Sequence, residues 1–476
     1  MKQCVTIFLL FTALFAKAQG TDSTSDLTLE KCIGFALRNN VNINNSGFQS
    51  QMNGVYYSQA RAQVFPSVSA SVSHQLNTGR NINTLNNSYS TQSFTSADYG
   101  LNAGMTLWNG FRLQNYIRKT ALDNEAGKMD LQNQRDMITL QVIVAYLDVL
   151  NQEDQLDNYQ QQLLSTQAQL NRLDSMNVAG AAKPDDIASM LAQLKGYEVS
   201  IVQQEDAIKT AKITLFGLMN IPLNLDAVLD RPESLTEAQA APVQSIDDIY
   251  THAVENLPGI KEAELKQQSA YKNIQVAKGS YYPTLSLNGG ISTNYSSTAT
   301  SAVPGATTRD STGLYILNGG TQVPVYQDVT GYAYSKIGYF SQLKNNYGIG
   351  VGVTLSIPIF NGLQARSNVK LAKIAYNQAA FATNATKNQL KSTIGQYVSD
   401  VNAALQSLDK QQQTVDAYKE LVRVDEIKFK EGALDATGFL VAKTQLQQAE
   451  INLIVMKYTY IFKSKILSYY QGQLSF

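Results

Sequence analysis

The chain carries the same succession of segments twice, and this duplication limits what it can fold into more than any other feature. Residues 60–76, ARAQVFPSVSASVSHQL, resemble residues 277–293, AKGSYYPTLSLNGGIST, with Pro66 on Pro283 at an offset of 217. Farther on, Leu107-Trp108-Asn109-Gly110 matches Ile359-Phe360-Asn361-Gly362, and Gly180 in NVAGAAKPDD matches Gly432 in FKEGALDATG, both at an offset of 252. The second copy therefore holds a longer insertion, after which the spacing is kept to the residue. Each copy runs through a helical stretch, an alternating segment, a polar connection, a second alternating segment, a very long helical stretch, a tight turn and a return helix.

The alternating segments have period 2. Tyr347, Ile349, Val351, Val353, Leu355, Ile357 and Ile359 alternate with Gly348, Gly350, Gly352, Thr354, Ser356 and Pro358. Tyr99, Leu101, Ala103, Met105 and Leu107 alternate with Gly100, Asn102, Gly104 and Thr106, and the segments after Pro66 and Pro283 behave alike. Such patterns make strands with one apolar and one small polar face. Roughly ten residues suit a tilted strand crossing a bilayer, and a wall of Gly, Ser, Asn and Thr without Lys or Glu suits a water-filled lumen. Residues 77–98 and 296–346 read as polar surface loops, the second long enough to fold partly over an opening.

From Gly110 to Gly180 and from Gly362 to Gly432 almost nothing breaks a helix, and 70 residues would make a rod of about 100 Å. Leu156, Leu163 and Leu170 recur every seventh residue, as do Leu408, Val415, Val422 and Phe429, and Ile187, Leu194, Ile201, Ile208 and Leu215 on the return. These seams predict antiparallel coiled-coil hairpins. At the tips Gly180 and Gly432 suit the left-handed residue that ends a helix, Pro184 suits the first turn of the next, and Asp435 suits an N-cap.

The expected organisation is a signal peptide over 1–18 and a first repeat over 19–220, with strands at about 66–76 and 99–108 and a helical hairpin at about 110–219. An irregular linker over 221–245 precedes a second repeat over 246–476, with strands at about 283–295 and 347–359 and a hairpin at about 362–470. MKQCVTIFLLFTALFAKAQG has a basic start, a short apolar run and Ala16-Lys17-Ala18, which predicts cleavage after Ala18. Its apolar run is too short to span a hydrocarbon core of ~30 Å. Cys4 leaves with it, so Cys32 remains without a partner, on the helical face of Leu29, Ile33 and Ala36, as a packing residue. Beyond the signal no apolar run reaches eighteen residues, and any membrane crossing must use strands.

With 38 basic and 38 acidic residues the formal charge is zero, which removes the field that nucleic-acid coating needs. Charged residues are only 16% of the chain, and mean hydropathy is −0.20, so Gln, Asn, Ser and Thr supply the polarity. His74 and His252 are the only histidines and lie in different copies, and neither a phosphate-cradling loop nor H-E-x-x-H occurs. Gly348-Ile349-Gly350-Val351-Gly352 sits inside an alternating strand and reads as lumen glycine. No catalytic, metal or cofactor site is expected. Four strands cannot close a barrel, and open edges facing lipid cost several kcal/mol per unsatisfied group, so copies must pool strands. Three chains make twelve, enough for a hollow barrel.

In its duplicated order, its Pro66 and Pro283, its Trp108-Asn109-Gly110 and Phe360-Asn361-Gly362 and its glycine tips, the chain resembles the TolC-type outer-membrane efflux and secretion ducts. The resemblance covers essentially the whole mature chain. It implies a mainly α fold with membrane β: a homotrimer with a twelve-stranded barrel in outer-membrane lipid and a periplasmic α-barrel. It also implies tips at Gly180 and Gly432 that dock on a periplasmic adaptor serving an inner-membrane transporter, for efflux or type I secretion by passive conduction. The family narrows its periplasmic opening with acidic groups just past the hairpin turns; by position Asp186 matches one, whereas the second copy has Gly438, then Val441. Asp186, Asp185, Asp435 and Lys183 are the candidate gate and tip residues, although Asp435 also suits a helix cap and Lys183 and Asp185 also suit plain solvation. Pro66, Pro283, Asn109, Gly110, Asn361 and Gly362 are structural at strand ends. The rival reading is a secreted coiled-coil scaffold or adhesin without a pore, which leaves the lumen-type strands unexplained.

Overall fold

The computed structural model describes residues 26–83, 88–178, 183–231 and 245–473. The expected signal peptide and Gly180 lie outside them. The chain forms two compact units: one from the described parts of 1–54, 122–268 and 377–476, the other from those of 55–121 and 269–376.

The second unit is built on strands. β2 (Ser67–Asn83), β3 (Ser88–Trp108), β5 (Thr284–Ser296) and β8 (Gly348–Ser356) form one antiparallel sheet in the order β2-β3-β5-β8. The register aligns Ser69, Asn102, Gly290 and Gly350 on one face and Ala70, Leu101, Ile291 and Ile349 on the other. A slip of one residue would exchange the two faces, so the alternation in all four strands fixes the pairing. Strand β8 stops at Ser356, short of the 347–359 expected, because Pro358 has no N–H to give a ladder.

Two expected loops are largely strand. β2 runs on to Asn83 and β3 starts at Ser88, paired from Asn77↔Phe94 to Asn83↔Ser88. Within 296–346 lie β6 (Thr300–Asn318), β7 (Thr321–Lys336) and the short helix α7 (Tyr339–Asn345). β6 and β7 form their own antiparallel hairpin around Gly319 and Gly320, both at positive φ. Its residues are exposed on both faces and its register shifts twice, so no one-sided hydrophobic pattern marks it.

The first unit is helical. Its helices are α1 (Leu29–Asn39), α2 (Val41–Ala62, as far as Gly54), the later parts of α3 (Arg112–Val178) and α8 (Gln364–Lys430), α4 (Pro184–Met219), α5 (Ile246–Asn256), α6 (Pro258–Lys278, as far as Gln268) and α9 (Ala436–Tyr470). Thr28 caps α1, its Oγ1 accepting from Lys31 N at 3.3 Å. The buried face of that helix is Leu29, Cys32, Ile33 and Ala36. Burial pushes the Cys32 thiol up to about 12, which keeps it a neutral packing group. These residues join Val142, Ile143, Tyr146 and Val149 of α3 and Leu215, Phe216 and Met219 of α4 in one core.

The expected irregular linker contributes to this core. Its residues Val228–Leu229 form β4, parallel to β1 (Asp26–Leu27). The fully buried Tyr146 hydroxyl lies 3.0 Å from Leu27 O and 2.5 Å from Asp230 O, and so bonds the backbone of both segments. Beside it Lys212 Nζ donates to Leu225 O and Ala227 O at 3.1 and 2.8 Å, and Arg231 pairs with Asp154, which also accepts from Tyr458 OH at 2.7 Å. A two-residue strand has no period, so its place was not readable from the sequence. Tyr146→Phe removes the hydroxyl donor to Asp230 O, while Leu27 O keeps its bond from Asp230 N at 3.1 Å, and is expected to cost about 1 kcal/mol, seen as a lower urea midpoint at unchanged slope.

Candidate functional site

The two faces of the sheet differ in chemistry. On the polar face Asn102 lies opposite Gly290 and Asn288 opposite Gly104. A Cβ on Gly290 would fall 2.8 Å from Asn102 Oδ1, so the glycine leaves room for the amide to lie along the wall. Ser67, Ser69, Asn102, Asn288, Gly350 and Gly352 line the resulting trough. On the other face Val68, Val72, Leu101, Leu107, Ile349, Val351 and Val353 are all exposed, Val351 to 78%. Such a contiguous apolar surface is foreign to a monomer in water.

Aromatic rings bound this apolar face at both ends. Trp108 packs edge-on against Phe111 and Tyr282 at ring separations of 6.3 and 6.2 Å. Nine residues back along β3, Tyr99 bonds Tyr339, whose ring lies 4.5 Å from that of Tyr295. At ~3.4 Å per residue the two sets are roughly 30 Å apart along the strand, or about 25 Å across a tilted one. That is the height of the lipid-facing band in outer-membrane barrels.

The strand-to-helix junctions are built alike in both copies. Gly110 and Phe111 have φ of 66° and 60°, and Gly362 and Leu363 have 62° and 65°. In each copy the preceding asparagine caps the following helix: Asn109 Oδ1 accepts from Leu113 N at 3.1 Å, and Asn361 Oδ1 from Ala365 N at 3.5 Å. Gly110 is irreplaceable twice over, since a Cβ there would also meet Tyr282 Cβ at 2.6 Å. Pro66 and Pro283 stand immediately before β2 and β5, where a missing N–H costs the ladder nothing.

At the hairpin tips the structure joins some candidate residues and leaves others apart. Gly432, at φ 75°, ends α8 with Gly432 N donating to Phe429 O at 3.2 Å and Ala433 N to Lys428 O at 2.8 Å, the paired bonds of a Schellman motif. Asp435 caps α9, accepting from Gly438 N at 2.9 Å. Asp186 reaches the other hairpin: its Oδ1 accepts from Ala436 N at 2.9 Å. Two carboxylates thus serve the N-terminus of α9, where the helix dipole favours them. Lys183 occupies the N-cap position of α4 without a side-chain cap bond, and Lys183 and Asp185 are exposed. Below the turn Leu170, Leu173, Met190 and Leu194 pack with Phe439 and Leu440, and the rings of Phe429 and Phe439 stack at 5.3 Å.

The model of the outer membrane efflux protein family matches residues 33–220 and 249–467. The chain belongs to that family. It is 23% identical over 403 residues to outer membrane protein TolC of Vibrio cholerae, covering 84% of this chain and 82% of that protein. To TolC of Escherichia coli it is 24% identical over 409 residues, 85% and 73% of the two chains. Among solved structures, VceC of Vibrio cholerae superposes with a TM-score of 0.75 at 14% identity, over 93% of this chain and 96% of the other. The open state of the Neisseria gonorrhoeae MtrE outer membrane channel gives 0.72 at 16% identity, over 94% and 89%. Both relatives therefore share the fold.

Among the described residues no group of three or more metal-ligating side chains is assembled, and no helix is long and apolar enough to cross a membrane. Two buried lysines, Lys212 and Lys443, escaped the sequence reading. Lys443, 4% exposed, donates to Ser165 Oγ at 3.1 Å and Thr166 Oγ1 at 2.9 Å, between α9 and α3. The signal was present, since Phe439, Leu440 and Leu446 put position 443 on the apolar stripe of α9. Burial lowers its pKa to about 8, partly opposed by Glu426. The unfolded lysine keeps its proton to about 10.4, so the unfolded chain binds more protons above pH 8 and stability rises with pH across that window. Lys443→Met should remove this rise, measured as unfolding midpoints between pH 7 and pH 10.

Proposed function

We propose that this protein is the outer-membrane channel of a tripartite efflux assembly, open to passive conduction from periplasm to exterior. One observation carries the reading: the sheet β2-β3-β5-β8 ends in two unpaired edges while its apolar face is bare. Strand direction alternates across it, so β8 of one copy meets β2 of the next in antiparallel sense. Three copies close twelve strands, turn the Ser, Asn, Gly and Thr face inward and present the apolar face to lipid. No edge is then left in the hydrocarbon. Family membership supports a homotrimer working with a periplasmic adaptor at the hairpin tips and an inner-membrane transporter, and the short apolar run before Ala16-Lys17-Ala18 supports removal of residues 1–18.

Asp186 then acts at the gate as a tie within the chain. Its bond to Ala436 N holds the start of α4 against the start of α9, and an adaptor that separates the tips must break it. A Cβ on Gly438 would fall 2.7 Å from Leu434 Cδ1, the end of a flexible side chain, so a second acidic ring there would need Leu434 to move aside. Binding that favours parted tips would shift the population from this tied arrangement toward an open state.

Two measurements test this. A Cys32→Ser chain carrying one cysteine in β2 and one in β8, scanned for facing pairs, should give reducible covalent trimers in the outer-membrane fraction. A soluble monomer with no cross-link at any pair would refute the channel. Asp186→Ala should raise single-channel conductance in planar bilayers severalfold without lowering trimer yield, since one charge-assisted bond of about 1.5–3 kcal/mol is lost at each tip. Conductance equal to wild type at every ionic strength removes Asp186 from the gate.

A further inference from the structure

We propose that α7 is an interfacial helix that seats in the headgroup region of the outer leaflet, with Phe340 in the acyl boundary and Lys344 directed to lipid phosphates. This rests on the outer-membrane reading above and adds a second lipid contact beyond the strands.

The attachment of α7 is specific. Gln342, 2% exposed, accepts from Ser296 N at 2.9 Å and donates to Ser296 O at 2.9 Å and Ile337 O at 2.8 Å. Thr293 Oγ1 donates to Leu343 O at 2.7 Å, and Asn346 Nδ2 to Asn294 O at 2.9 Å. Tyr339 meets Tyr99 and Tyr295. The side chains of Tyr99, Thr293 and Tyr295 belong to the face that carries Leu101 and Ile291, as the register shows. Ala97, opposite Tyr295 on that face, is fully buried. The helix therefore lies against the apolar face of the sheet, at the end remote from the strand-to-helix junctions.

That position decides what covers its outer side. A barrel turns this face to lipid, so a helix resting on its upper margin meets the membrane interface. Phe340 is 82% exposed, the neighbouring Tyr347 is 65% exposed, and Lys344 lies one turn beyond Phe340 on the same helix face, also exposed. An aromatic ring with a lysine one turn away is the pairing that interfacial helices use, the ring in the acyl margin and the ammonium extended to phosphate. Seated there, α7 pins the base of the β6–β7 hairpin at a fixed height, since Gln342 holds Ser296 and Ile337 on either side of it.

The test uses full-length trimers in phosphatidylcholine and phosphatidylglycerol vesicles, with Trp108→Phe as background and one tryptophan reintroduced by Phe340→Trp, Val351→Trp or Val178→Trp. Lipids brominated at acyl carbons 6 and 7 should quench the Phe340→Trp and Val351→Trp proteins roughly twofold or more, while Val178→Trp responds to aqueous iodide alone. Iodide-sensitive, bromine-insensitive emission from Phe340→Trp, with Val351→Trp quenched, overturns the interfacial helix and leaves the channel standing. If Val351→Trp also escapes the bromines, the membrane reading itself fails and takes this inference with it. Should Trp108→Phe block assembly, the difference between Phe340→Trp and the parent with Trp108 retained gives the same reading.

Discussion

An unpaired strand edge is tolerable in water and untenable in hydrocarbon, and that constraint organises this molecule. Each copy of the duplicated sequence brings two strands, and four strands leave β2 and β8 exposed. Neither edge carries the lysines or bulges that protect free edges in soluble proteins. Closure by identical neighbours satisfies the backbone and sorts the side chains at once. Strand direction alternates and, apart from a bulge between Thr106 and Trp108, the register keeps its faces, so one operation places Ser69, Asn102, Gly290 and Gly350 inward and the exposed Leu101, Ile291 and Ile349 outward. The junctions share this dependence. The strand-ending Asn-Gly pairs turn the chain through two consecutive positive-φ residues into a capped helix, in the same way in both copies.

The helical unit meets a different constraint. Its helices are wet over much of their surface, and uncharged Gln and Asn cover them without building a net field. Specific attachment comes from a few buried polar contacts. Tyr146, Lys212 and Arg231 bind backbone and carboxylates around the short β1–β4 pair, so that Ala227 and Leu229 pack into the core of the first copy. Lys443 is the exception. It occupies an apolar stripe with hydroxyl partners only, and its charge persists at the expense of stability.

Legibility in the sequence followed physical asymmetry. Strands with one wet and one apolar face announce themselves, as do heptad seams and glycine turns, because each leaves a periodic or positional mark. The β6–β7 hairpin is exposed on both faces and carries polar cross-strand pairs such as Thr307–Thr330 and Arg309–Asp328 in place of a one-sided apolar stripe, so no alternation announces it. Helix α7 is seven residues long, too short for a moment to be read, and is held by contacts to residues some fifty positions away. At the tips, residue type marks Asp435 as an N-cap and the family resemblance marks Asp186, yet the partner of Asp186 lies 250 residues along the chain. A hydrogen bond of that range leaves no local signature.

The asymmetry between the two tips follows from that bond. Duplication would supply an acidic residue to the first turn of each return helix, and only the first copy has one, Gly438 standing where Asp186 does in the first. In the second, the same place is filled by the backbone: Gly438 N–H turns inward to Asp435, and the space a side chain would need is held by Leu434. The first copy therefore donates a carboxylate and the second receives it at the N-terminus of α9, where aligned peptide dipoles and free N–H groups stabilise negative charge. An acidic pair facing each other would repel and would leave the helix start with one cap fewer. A single shared carboxylate holds both hairpins together while remaining breakable by a partner that offers the same N–H groups another acceptor, which is what a tip that must open requires.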